Sequence, residues 1–327
     1  MMNRTHIRQF AVVLAALSLA LGAQPAMAQA YPAKLIRLIL PLSTGSTGDV
    51  VARILSGPMG KALGQPLVVE NLPGAGGVTG TQQLVRAPKD GYTIAVITNN
   101  HVINPSIYKS IPYDTLKDIT PITVIGNSPL VLVVNPGVAA KNTQELIALA
   151  KARPGALNYG SAGNGSVLHL AGVLFATEAG IDIRHVPYKG TGPLVNDLLG
   201  GQVEMGIVGL PSIVGQVKSG RLRAIGVTTA KRAAVMPEIP TLAESGLPNY
   251  NFEAWIAFVG PAGLPQAIVD RIYAETKAAL ALKEVQDAFA AQGLVVVAST
   301  PEHTAQFFQG ELDKHTKLVK QSGAALD

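Results

Sequence analysis

Two extended stretches constrain this chain more than any other feature. Ile119–Asn135 and Tyr250–Pro261 have no helical period, and prolines at 121 and 129 punctuate the first. Each interrupts an alternation of short β-rich runs and helical patterns, which by itself points to an α/β architecture. Two crossings imply two domains joined twice, the C-terminal third returning to the first. The expected boundaries are 29–127 plus 254–327 for the first domain and 128–253 for the second. At about 100–200 residues per domain, a chain of 327 residues accommodates both.

The N-terminal unit reads as a strand at Leu35–Leu40, a loop, and a helix at Val50–Leu63 stopped by Gly64. Leu67–Glu70 and Tyr92–Thr98 follow as strands, separated by the glycine-rich Asn71–Gly80 and a helix to about Arg86. Beyond the first crossing, Thr143–Ala152 reads as a helix, and Leu157–Tyr159 as a strand. A Gly/Ser loop then runs into another helix. Ile183–Val186, Met205–Val208 and Leu222–Thr228 read as further strands. After the second crossing the pattern is helical at Gln266–Leu282, Lys283–Gln292 and Pro301–Ser322.

Several function classes drop out on composition. Arg4 and Arg8, the apolar run Phe10–Ala23 and Ala26-Met27-Ala28 form a secretory leader, with cleavage expected after Ala28. The chain has no cysteine, which excludes a disulfide, a thiolate nucleophile, a Cys-bound metal and a lipid-anchored lipoprotein. Charged residues make up 14% of the chain, against roughly 25% in an average soluble domain. No basic run interleaves with aromatics, so nucleic acid is not an expected partner.

Two loops carry the chemistry. Pro41–Val50 (PLSTGSTGDV) and the segment from Gly160 to Leu170 (GSAGNGSVLHL) each place small hydroxylated residues and glycines where a helix begins. The first turn of a helix presents unpaired N–H groups and a partial positive charge of about half an electron. Glycines admit a ligand close to the backbone, so such a loop binds an anion without a buried cation. Ser46-Thr47-Gly48-Asp49 equally matches a capping box, which only starts a helix, and Asp49 reads as a capping residue. The occurrence of two such loops in separate halves favours the ligand reading for both.

Catalytic motifs are missing. No lysine follows the glycines as a phosphate-binding loop requires, and the frame on Ser161 begins with Tyr159 rather than glycine, unlike a nucleophile elbow. The histidines show no H-E-x-x-H spacing, and His169 in its apolar helix pattern reads as a packed, hydrogen-bonded histidine. The expectation is a non-enzyme with no catalytic residue, metal or cofactor.

With both loops in view, the chain resembles the Bug/TctC family of periplasmic solute-binding proteins, which serve tripartite tricarboxylate transporters and related sensing systems. The resemblance runs through the mature chain in order. It includes YPAKLIRLILP, LGQPLVVENLPGAGGVTG, DGYTIAV, LIALAKARPGALNYGSAGNGSVLHLAG, HVPYKGTGPLVNDLLGGQVEM and PTLAESGLPNY. It implies an α/β, two-lobed, Venus-flytrap fold of type II-like periplasmic binding proteins with two interdomain crossovers. Closure would be hinge motion near 125–130 and 250–255, gripping a small carboxylate. The implied binding residues are Ser43, Thr44, Gly45, Ser46 and Thr47 on one arm, and Ser161, Gly163, Asn164, Gly165 and Ser166 on the other. Thr98, Asn99, Asn100 and His101, the loop after the third strand, would line the same cleft. The implied partners are a small carboxylate and membrane permease subunits or, alternatively, a sensor kinase; the protein is expected to be a periplasmic monomer. A secreted hydrolase using Ser161 is the reading from another class.

Two departures from the family pattern bear on the ligand. Relatives commonly read P-F-P-P-G-G-S-T-D at the first loop, so Ser43 and Thr44 stand in place of two prolines. Many also read F-D-N-L-P where this chain has Ile207-Val208-Gly209-Leu210-Pro211. An aspartate aligned with Val208 would pair with a ligand ammonium, and valine cannot. The expected ligand is therefore a di- or tricarboxylate or an aromatic acid that carries no amine.

Overall fold

Ten strands build the frame: β1 Ile36–Leu40, β2 Leu67–Asn71, β3 Thr93–Thr98, β4 Ile119–Val134, β5 Asn158–Ser161, β6 Arg184–Pro187, β7 Met205–Gly209, β8 Arg223–Val227, β9 Glu253–Pro261 and β10 Val295–Val296. The helices are α1 Thr47–Leu63, α2 Val78–Val85, α3 Asn100–Ile107, α4 Thr143–Ala152, α5 Val167–Ala179, α6 Thr191–Gly200, α7 Leu210–Lys218, α8 Gln266–Ala281, α9 Lys283–Ala291 and α10 Pro301–Ser322. This is a computed structural model, and it describes residues 31–322. The expected leader, residues 1–28, lies outside the described residues.

The strand order is β2-β1-β3-β9-β4-β7-β5-β6, with β8 and β10 also on β4. Pairing on both sides of β1 is parallel, as strand–helix–strand units require, and so is the pairing of β5 with β6 and β7. The two halves meet on β4. Its first part, Ile119–Pro129, pairs antiparallel with β9, and its second part, Leu130–Val134, pairs with β7 and β8. The first expected crossing is thus this 16-residue strand and the second is its antiparallel neighbour β9.

Burial follows the same division. Ile39, Ala95, Ile97, Val124, Trp255 and Val259 share one apolar cluster. Leu130–Val134, Phe175, Leu194, Ile207 and Val208 belong to another. Strand β4 feeds both clusters, and α10 also reaches both, through Phe308 and Val319. Of the C-terminal helices, α8 packs on α1 and α10 packs on α3. Three helices were not expected from sequence, α3, α6 and α7, and all three begin at the cleft described next.

Candidate functional site

The two arms are built alike. In the first, Ser46 caps α1 in extended geometry (φ −71°, ψ 161°) and its hydroxyl accepts the Asp49 N–H at 3.3 Å. In the second, Ser166 caps α5 at φ −71°, ψ 157° and accepts the His169 N–H at 3.2 Å. The side chain at that third helical position then reaches back. Asp49 Oδ2 accepts the N–H of Gly45 at 3.0 Å, and His169 Nδ1 accepts that of Gly165 at 3.2 Å. Gly45 and Gly165 have φ of 80° and 73°, a left-handed conformation that disfavours other residues. The capping box seen in the sequence exists, but Asp49 does more than start a helix. Its carboxylate also takes Arg53 and Asn71, so it holds the whole first arm closed from behind. Burial alone would raise the Asp49 pKa; the bonds from Arg53, Gly45 and Asn71 outweigh it and keep the group below the usual aspartate value.

Between the arms lies an inner cavity of about 60 Å³, opening beside an outer cleft of about 610 Å³. Five helices start on the inner cavity. Its wall takes Thr47 and Gly48 from α1, Asn100 from α3, and Val167 and Leu168 from α5; Thr191 comes from α6, and Ser212 from α7. Leu130, Ala254, Trp255 and Ile256 close it from the crossover strands. Among the described residues, none lining the inner cavity is ionisable, and Lys189 is the one lysine, arginine, aspartate or glutamate lining the outer cleft. Such a wall offers N–H and O–H donors and helix-end potential to an anion. It offers no carboxylate to a cation. Among the described residues, no group of three His, Asp or Glu is placed to hold a metal ion.

The expected binding residues distribute unevenly. Ser46, Thr47 and Ser166 line the inner cavity, and Ser43, Gly163 and Asn164 line the outer cleft. Thr44 and Gly45 are exposed and line neither, and Gly165 is taken by its bond to His169. Ser161 is fully buried; its hydroxyl holds the Gly163 backbone and lies 2.7 Å from His185 Nε2. That serine–histidine distance suits a nucleophile and its base, yet Ser161 faces neither cavity. His185 stacks on His169 with ring centroids 4.0 Å apart. Burial, then the neighbouring His169, bring the His185 pKa down to about 4, too low for a base at neutral pH. The pair braces the second arm.

Three expectations meet a different arrangement. Asn99 is fully buried and ties the chain to β9, accepting the Trp255 N–H at 2.9 Å and donating to the Glu253 carbonyl at 3.2 Å. His101 is buried with Nε2 at 2.7 Å from the Thr115 carbonyl, and it borders a small side cavity beside Asn104, not the cleft. Val208 points into the core beneath α6; the neighbours that reach the cavity are Gly209 and Ser212. A charge at position 208 would therefore not meet a ligand, so the argument against an amine rests on the cavity wall instead. Sequence reading missed Thr191, Gly209 and Ser212; of the loop Thr98–His101, the inner cavity takes Thr98 and Asn100. Trp255, on β9, both packs on Phe307 and Phe308 and lines the cavity, its indole N–H donating to Glu311 at 2.9 Å.

A two-lobed α/β frame with two crossover strands, and a cleft lined by helix starts where they meet, defines a solute-binding receptor. Residues 51–324 match the model of TctC, the tripartite tricarboxylate transporter family receptor, and the chain belongs to that family. It is a periplasmic solute-binding protein of the TctC/Bug type. It is 38% identical to protein BugT of Bordetella pertussis, over 99% of this chain and 100% of that one. A Rhodopseudomonas palustris protein solved with adipate is 31% identical, with a TM-score of 0.87 over 90% of this chain and 98% of its own. MatC of the same organism, solved with bound malate, is 29% identical, with a TM-score of 0.84 over 88% of this chain and 100% of its own.

Proposed function

We propose that this protein captures a small carboxylate between its two arms, closes its lobes over it and delivers it to a membrane permease. One observation carries the reading: five helix N-termini converge on a cavity that no ionisable side chain lines. Each helix end acts as roughly half a positive charge, so together they favour an anion strongly and disfavour an ammonium group. The adipate and malate bound by similar proteins agree with this chemistry.

The cavity dimensions support a placement of the ligand in two parts. The inner cavity, about 60 Å³, is the smaller and takes one carboxylate head. The remainder of the ligand occupies the outer cleft, where Lys189 meets a second carboxylate if there is one. The ligand class is then a di- or tricarboxylate or an aromatic acid without an amine. The lobes comprise residues 29–127 plus 254–327 and 128–253, hinged on β4 and β9. The leader is removed after Ala28, and the receptor works in the periplasm as a monomer.

A thermal-shift screen of the mature protein against carboxylates tests this. A ligand present at a hundred times its Kd and bound only by the folded state stabilises it by about 2.7 kcal/mol. Tight binding of aspartate or glutamate, with no response to plain carboxylates, would overturn the proposal.

A further inference from the structure

The hydroxyls that replace prolines in the first arm do not face the inner cavity. Ser43 Oγ accepts the Thr191 N–H at 2.9 Å, across 148 residues of sequence, from the lobe of β1 to the first turn of α6. A second bond runs the same way: Asn100 Oδ1, on α3, accepts the Val167 N–H of α5 at 2.7 Å. In both cases a side-chain oxygen of one lobe satisfies an orphan donor at a helix start in the other.

The opposite surface is cut to fit. An added Cβ at Gly190 would stand 2.4 Å from Ser43 Oγ, one at Gly192 would stand 3.1 Å from the Thr44 carbonyl, and one at Gly209 would stand 2.0 Å from Thr47 Oγ1. Gly190 admits no side chain while Ser43 sits here, a side chain at Gly209 would have to turn the Thr47 hydroxyl away, and Gly192 admits one only tightly. The arm and this glycine face are matched surfaces of the two lobes.

We propose that Ser43 and Asn100 form a two-point latch that holds the lobes together, and that Ser43 is a positioning residue rather than a reader of ligand chemistry. The acceptor is a side-chain oxygen, which a proline at position 43 would lack, so the latch belongs to the serine. Because the bond is between lobes, losing it raises the release rate of any ligand that the closed form encloses. A residue that contacted the ligand would instead shift one ligand more than another.

The test goes beyond carboxylate binding itself and separates the two. Fluorescence of Trp255, the single tryptophan, follows titrations with adipate and with malate in the wild type and in Ser43→Ala. The expected result is weakening of both by the same factor, about tenfold, carried by faster release. Unequal factors, or no change, would overturn the latch. Amide exchange at Thr191, measured alone and with adipate, reads the bond directly. Faster exchange in Ser43→Ala under either condition is expected, and unchanged exchange under both contradicts the proposal. Failure of the wild type to bind any carboxylate counts against the proposed function, and the exchange result still decides the latch. Gly190→Ala serves as the steric counterpart. Its φ of 113° strains an alanine whatever stands at position 43, so a double variant isolates the clash with Ser43. Ser43→Gly in that background is expected to recover part of the lost affinity, and no recovery argues against the matched surfaces.

Discussion

The two arms share a cap, a left-handed glycine and a side chain that reaches back to it, yet one uses an aspartate and the other a histidine. The first arm hangs on an ionised carboxylate neutralised by Arg53 at 3.0 Å. The second hangs on neutral imidazoles, with His169 on Gly165 and His185 on Ser161. An anion site between them gains from neither charge, because Asp49 is compensated and the histidines are unprotonated at neutral pH. The same geometry can therefore be supported by different chemistry, and the two supports fail under different conditions.

Breaking the first support has the largest effect. Asp49→Ala removes the acceptor of the Gly45 N–H and one acceptor each of Asn71 and Arg53, and should cost about 2–4 kcal/mol in a denaturant titration, with ligand binding lost alongside. Acid acts on the second support. Burial, with the neighbouring His169 second, lowers the His185 pKa from 6.5 to about 4, so the unfolded chain binds its proton first. Stability is full above pH 6.5 and falls as pH drops toward 4, by about 1–2 kcal/mol once solvent screening of this half-buried group is allowed for. His185→Gln should flatten that part of the stability–pH curve; an unchanged slope would place the sensitivity elsewhere, for instance at His101, whose pKa burial also lowers to about 4.

Smaller effects sharpen the comparison. His169→Ala removes one hydrogen bond, from the Gly165 N–H, and should destabilise by about 1 kcal/mol, less than the loss of Asp49. Equal losses would mean that the charge on Asp49 contributes nothing beyond its geometry. Lys189→Gln should weaken a dicarboxylate by roughly threefold and leave a monocarboxylate of the same length unchanged, as befits an exposed lysine.

The arms were legible in the sequence because a serine cap and a glycine mark each one. The helices α3, α6 and α7 were not, although they supply Asn100, Thr191 and Ser212. Each is only 8–10 residues long, carries a proline (Pro105, Pro193 and Pro211) and starts without a side-chain cap bond. Those features hide both the helical period and its beginning. Val208 was misplaced for a related reason. Strand β7 is buried along its whole length, so no alternation distinguishes the side of Val208 from that of the cavity. The lobe-to-lobe bond of Ser43 joins residues 148 apart and has no local signature at all.

The claim that helix ends without a counter-charge select the ligand can be tested by isothermal titration with acid pairs that differ by one ammonium group. Succinate against aspartate and glutarate against glutamate are suitable pairs. The account predicts that within each pair any binding favours the amine-free acid by at least about tenfold, near 1.4 kcal/mol. Tighter binding of the amino acids would show that the cleft presents a negative group to the ligand, and would contradict it.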